Sequence, residues 1–144
     1  MKKSKRYVDF HYWIGAQLVK GPMRAEVEAE LMEHAQGELN HADMITKRII
    51  ELNGTPVLNP SEWTKLARCK YDAPTDPYVE VILKQNIAGE RCAIQRYQEI
   101  ADYTDKKDWV THTIAVAILA EEVEHEKDLD DFVVDIKLLK KALR

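Results

Sequence analysis

Two Glu-x-x-His motifs, Glu38-Leu39-Asn40-His41 and Glu122-Val123-Glu124-His125, lie in the two halves of the chain. At i, i+3 a carboxylate and an imidazole share one face of one helical turn. Each motif sits in an apolar stripe of helical period, so the chain must bring two helices together with four polar groups between them. Two such helices, each facing a helix that adds a single Glu, can hold two bridged iron or manganese ions inside a four-helix bundle. One motif alone would mean little, because Glu and His are common on helix surfaces. The joint pattern is what points to a metal site.

The chain has 144 residues, enough for one domain with its own core, and residues 1–144 are read as one domain. It carries only 5 Gly and 5 Pro, which leaves long segments free to be helical. The first helix is expected over about Tyr7 to Lys20, stopped by Gly21-Pro22, and the second over about Arg24 to Leu52, stopped by Asn53-Gly54. A connection from about Thr55 to Thr75 holds Pro56, Pro60 and Pro74, with a short helix begun by Ser61-Glu62-Trp63 and running through Arg68. The third helix is expected to open on Asp76-Pro77, a cap followed by Pro at the first helical position, and to end near Tyr103. After a tight turn at Thr104 to Lys107, the fourth runs from about Asp108 to Lys141. The links are short, long, short. The long one can travel the length of a bundle, which predicts an all-α, ferritin-like four-helix bundle with one crossover between the second and third helices.

At about 100° per residue, the second helix aligns Val27, Leu31, Glu38, Ala42, Ile45, Ile49 and Leu52. The third aligns Val79, Leu83, Ile87, Glu90, Ile94, Tyr97 and Ala101, and the fourth Ile114, Ile118, His125, Leu129, Phe132 and Ile136. Glu38, Glu90 and His125 therefore face the core. A buried, unpaired carboxylate costs several kcal/mol or takes up a proton. Divalent cations satisfy several such groups at once, and carboxylate with imidazole suits iron or manganese. Glu121 and Glu122 both flank the stripe of the fourth helix, and spacing equal to the first motif favours Glu122. His34, one turn before Glu38, is a spare ligand candidate read as a supporting or core histidine.

The net charge of −4 argues against a nucleic-acid binder. Four of the first six residues are Lys or Arg, but they are read as the approach to the first helix rather than a DNA-binding tail. No apolar run reaches the roughly 20 residues that span a bilayer, and the start lacks a cleavage signal, so a cytoplasmic location is expected. Two cysteines, Cys69 and Cys92, allow at most one bridge.

The run Glu38-Leu39-Asn40-His41-Ala42-Asp43, with Arg48-Ile49-Ile50-Glu51-Leu52-Asn53-Gly54-Thr55-Pro56 after it, resembles the second helix and following loop of bacterioferritins. Over nearly its full length the chain is similar to the Dps-like branch of the ferritin superfamily, which combines a bacterioferritin-type di-iron site with a cysteine pair. The resemblance implies bridging roles for Glu38 and Glu122, histidine ligands in His41 and His125, and a terminal carboxylate in Glu90. It implies tyrosines beside the metals at Tyr12 and Tyr97, and a redox pair or disulfide of Cys69 and Cys92 near the site.

Two positions depart from the family. Its first-helix glutamate falls on Lys5, which cannot ligate while protonated, and Asp9, one turn later, is the substitute ligand on offer. Leu39 stands where haem-binding relatives have Met, so no haem is expected. The resemblance implies oxidation of Fe(II) by hydrogen peroxide or dioxygen, storage of Fe(III), protection against oxidative stress, and a homo-oligomeric shell of twelve subunits. The rival readings are a stand-alone di-metal peroxidase or catalase-like enzyme, which would need no shell, and a cage subunit whose metal site has decayed at Lys5.

Overall fold

In the computed structural model, the backbone is described for residues 6–144 and side chains from Phe10 onward. Four long helices form: α1 (Arg6–Leu18), α2 (Arg24–Glu51), α4 (Val79–Thr104) and α5 (Trp109–Ala142). Between α2 and α4 runs the long connection, with a 3-10 turn at Pro60–Glu62 leading into the one-turn α3 (Trp63–Leu66). α1 packs on α2 and α4 on α5, and contacts of α2 with α5 and α1 with α4 join the two hairpins. The fold is the all-helical bundle with one crossover that the link lengths predict.

The helix boundaries have local causes. Asn53, not Gly54, takes the left-handed conformation after α2, with φ 58°. Asn53 N then bonds Ile50 O and Gly54 N bonds Ile49 O, a Schellman closure that satisfies the last carbonyls. Between α1 and α2, Gly21 has φ 119°, and a Cβ there would lie 3.1 Å from the Tyr78 ring, so this turn requires glycine. The start of α4 differs from expectation. Asp76 accepts from Tyr78 N at 2.9 Å in a turn before the helix, but it does not cap α4, whose N-cap is Tyr78 with no side-chain cap. Pro77 is not the first helical residue either, because its carbonyl accepts from Lys20 N while Val79 N donates to Lys20 O, both at 2.8 Å. This short parallel bridge ties the α1–α2 turn to the end of the crossover and delays the helix to Val79.

The apolar core fills one half of the bundle. Tyr12, Ala16 and Val19 meet Val27 and Leu31 of α2, Val79 to Ile87 of α4, and Leu129, Val133 and Ile136 of α5. On α5, Ile118, Leu129 and Ile136 are buried as expected, but Ala115, Glu122 and Val133 are buried where Ile114, His125 and Phe132 are expected, and those three are half-buried. α5 packs mainly against α4, which rotates its inner face toward that partner. On α2, Ala42, Ile45 and Ile49 are half-buried, and Leu52, at the C-cap, is exposed. Among the described residues no helix is long and apolar enough to cross a membrane.

Asp108 begins α5 as the sequence predicts, accepting from Thr111 N at 3.1 Å. Arg48 of α2 reaches both Asp108 oxygens at 3.0 and 3.1 Å and Thr111 Oγ1 at 2.9 Å, which fixes α5 against α2. Hydrogen bonds from Thr111, supported by the Arg48 guanidinium, hold the Asp108 carboxyl down from its ordinary 3.8 to about 2. A depressed folded value means the stabilisation is present above the ordinary value and is lost as pH falls toward the folded one. Asp108→Ala is expected to lower the Tm at neutral pH, with the gap to wild type narrowing as pH falls from 3.8 to about 2. Thermal melts across that window check it, and a gap independent of pH would contradict it.

Candidate metal centre

Beyond the apolar half of the core, four helices contribute polar groups to one layer. α2 brings Glu38 and His41 one turn apart, α4 brings Glu90, α5 brings Glu122 and His125, and α1 brings Tyr12. Glu38, His41, Glu90 and Glu122 are wholly buried, whereas the His125 side chain is 14% exposed. Ligand atoms of Glu38, Glu90, Glu122 and His125 all lie within 4.8 Å of one another. His125 Nδ1 stands 3.7 Å from Glu38 Oε1, 3.5 Å from Glu90 Oε1 and 3.6 Å from Glu122 Oε2. His41 Nδ1 stands 3.7 Å from Glu38 Oε1 and 3.4 Å from Glu122 Oε1. Both imidazoles thus present the same nitrogen to the carboxylates.

Three carboxylates are buried in one layer. Burial, opposed by His125 and reinforced by Glu122 and Glu38, pushes the Glu90 carboxyl up to about 8. Burial alone would lower His125, but the three surrounding carboxylates outweigh it and push the imidazole up to about 12. Glu90 Oε2 and His125 Nδ1 are buried with no hydrogen-bond partner among the described residues. Converging carboxylate oxygens and an imidazole nitrogen form a donor set that fits divalent iron or manganese. The group between them would be positive.

The surroundings hold this set in place. Tyr12, buried, donates its hydroxyl to Glu90 Oε1. Burial, then the charge of Glu90, raises the Tyr12 phenol well above its ordinary value, so it remains a donor. His41 Nε2 lies 2.5 Å from Glu121 Oε2. A carboxylate on the outer nitrogen fixes the ring's orientation and tautomer and makes the inner nitrogen a better ligand. Glu122 therefore occupies the inner position that equal spacing favours, while Glu121, 53% exposed, backs His41 from outside. A Cβ on Gly37 would lie 3.2 Å from His125 Cε1, so the missing side chain makes room for that ring.

The remaining residues singled out from the sequence lie nearby or outside the described region. Tyr97 is buried on α4. Cys69 and Cys92 form a disulfide with Cα atoms 5.8 Å apart. The bridge lines a cavity of about 180 Å³ shared with His11, Tyr71 and Asn86. Lys5 lies outside the described residues, as does the side chain of Asp9. His34, a supporting candidate in the sequence, stacks on His125 with ring centroids 4.1 Å apart and meets the Tyr12 ring edge-on at 5.2 Å. Burial, then His125, pushes its imidazole down to about 3. Sequence reasoning missed the roles of Glu121, Gly37 and Arg48. For Glu121 the available signal was its placement one residue before the second motif.

Residues 7–139 match the family described as the ferritin-like domain. The chain is 42% identical over 126 residues to the DNA protection during starvation protein of Pyrococcus furiosus, spanning 85% of this chain and 68% of that protein. Among solved structures it is similar to a dodecameric thioferritin, the bacterioferritin-related protein of Bacteroides fragilis, at 52% identity and a TM-score of 0.95, covering 96% of this chain and 82% of the other. Dps from Thermosynechococcus elongatus shares the fold at 18% identity, with a TM-score of 0.85 over 90% of this chain and 82% of that one.

A layer of buried carboxylates is a burden without a cation, so its removal should help the metal-free protein. In chelator, Glu38→Gln is expected to melt at or above the wild-type temperature. With Mn(II) added to a hundredfold excess over its dissociation constant, wild type should gain about 2.7 kcal/mol, and the variant little. A large loss of stability in the metal-free variant would mean that Glu38 serves the fold.

Proposed function

The chain belongs to the ferritin-like family, and from that premise we propose that it is a Dps-like ferritin that binds Fe(II) within the bundle, oxidises it with hydrogen peroxide or dioxygen, and stores the Fe(III). The observation that carries this reading is the buried layer of Glu38, His41, Glu90, Glu122 and His125, in which ligand atoms of Glu38, Glu90, Glu122 and His125 converge within 4.8 Å of one another. Glu38 and Glu122 lie on the two facing helices that also carry the imidazoles, which suits them to bridge two ions, while Glu90 holds the outer side of one. Asp9, three residues before Tyr12 on α1, is the proposed partial replacement for the carboxylate that Lys5 lacks.

Fe(II) is the substrate in this scheme. Two Fe(II) give up one electron each, and one hydrogen peroxide takes both electrons and two protons and leaves as two waters. The protein's residues position the reactants. Tyr12 donates to Glu90 and keeps that carboxylate turned inward. Glu121 on Nε2 favours the His41 tautomer whose Nδ1 can act as a metal ligand. The wholly buried ligands exclude bulk water, and partly exposed His125 marks the side on which the layer opens. The Cys69–Cys92 disulfide is proposed as a reserve for the same electrons: two from two Fe(II), with two protons, would open it to two thiols, and hydrogen peroxide would reoxidise these to the disulfide and two waters.

Storage requires a cavity larger than one bundle can enclose, so the reading includes a homo-oligomeric shell of twelve subunits. The dodecameric relative supports it. So do exposed apolar side chains such as Phe10, Trp13, Leu58, Trp109 and Leu143, which suit subunit contacts. The net charge of −4 favours protection by removing iron and peroxide over direct attachment to DNA.

Rapid-mixing absorbance of Fe(II) with peroxide tests the scheme. Glu38→Ala is expected to reduce oxidation to the rate in protein-free buffer, and Glu121→Gln to weaken activity or metal affinity about 10–100-fold. Wild-type kinetics in the folded Glu38→Ala protein would defeat the proposal.

A further inference from the structure

A second cluster of metal-binding side chains lies on the far side of the His34–His125 stack. Glu30 and His34 are one turn apart on α2, and Asp128 comes from α5, with one ligand atom from each within 4.8 Å of the others. His34 Nε2 lies 2.9 Å from Glu30 Oε1 and 3.7 Å from Asp128 Oδ2. Among the described residues these close approaches lack hydrogen-bond geometry, and both ring nitrogens are buried without a hydrogen bond. The His34 side chain is only 2% exposed, whereas Glu30 and Asp128 are 25% and 41% exposed. A buried imidazole nitrogen therefore points outward at two carboxylates that reach solvent.

From this geometry we propose that Glu30, His34 and Asp128 form a separate, mononuclear site for a divalent cation such as Fe(II). One imidazole nitrogen and two carboxylate oxygens suit iron, manganese, cobalt or zinc, and solvent can fill the remaining positions. The crowding of negative charge supports it, since burial and then Asp128 and Glu33 raise the Glu30 carboxyl. The site lies on the side where the central layer opens, because His34 stacks on His125, which has solvent access that Glu38, His41, Glu90 and Glu122 lack. It is a solvent-side holding place for iron beside the central layer, since a His34 ring nitrogen also comes within 4.8 Å of ligand atoms of Glu90 and His125. Its binding does not require the central site to be intact, whereas its part in iron handling rests on the function proposed above.

Co(II) is the probe, since its anomalous scattering locates it in crystals and equilibrium dialysis counts it in solution. Wild type is expected to show a Co(II) peak about 2.0–2.2 Å from His34 Nε2. The double variant Glu30→Gln, Asp128→Asn should lose that peak and bind one fewer Co(II) per subunit in solution. Glu38→Gln should keep the peak at His34 while losing Co(II) from the central layer. A His34 peak beside an empty central layer in wild type would uphold this site and count against the central one. No peak at His34 in wild type, or a peak that survives the double variant, would overturn the inference.

Discussion

Repulsion among Glu38, Glu90 and Glu122, all wholly buried in one layer, is the interaction around which the rest of this structure is arranged. Hydrophobic burial holds the helices together, but it gives no reason for three carboxylates to meet in the core. Burial makes Glu90 costly to ionise, and the partial remedies are visible: Tyr12 donates to Glu90, and His125 sits among all three carboxylates with its affinity for a proton raised. These remedies do not use every polar atom, since Glu90 Oε2 and His125 Nδ1 have no hydrogen bond among the described residues. In the proposed function, cations supply the balance.

Such a layer depends on rigid support. The apolar half of the bundle, from Val27 and Leu31 to Leu129 and Ile136, fixes the four helices on one side of it. On the other side Arg48 joins α2 to the first turn of α5 through Asp108 and Thr111. The bridge between Lys20 and Tyr78 anchors the end of the crossover, which sets where α4 begins and so where Glu90 falls. Gly37 lets the His125 ring approach the α2 backbone closely. Helix placement and ligand placement are therefore one problem. A shift of either hairpin would separate the two Glu-x-x-His motifs.

The helix order and the inward position of Glu38 and Glu90 could be read from period and spacing, because helical geometry maps sequence directly onto a face; on α5 the period put His125 in the stripe and Glu122 at its flank, whereas Glu122 is wholly buried and His125 partly exposed. Glu122 holds the buried place and Glu121 the exposed one, and the contact of Glu121 with His41 was not legible, because it depends on how α5 rotates against α2. The same rotation brings Ala115 and Val133 inward in place of Ile114 and Phe132. The α4 start was misplaced because Asp76-Pro77 satisfies the local rule for a helix opening, while a long-range bridge to Lys20 takes the backbone groups it would need. Glu30 and Asp128 drew no notice, since surface-facing acids are common until a buried imidazole is found pointing at them.

The central claim is that the buried layer holds two metal ions bridged by Glu38 and Glu122. Mössbauer spectroscopy on protein loaded anaerobically with about two ⁵⁷Fe(II) per subunit, then oxidised and examined at liquid-helium temperature, tests it most directly. The account predicts a quadrupole doublet without magnetic splitting, the signature of two ferric ions coupled through shared ligands. Magnetically split spectra from isolated ferric ions would contradict it, and the buried carboxylates would then need another explanation.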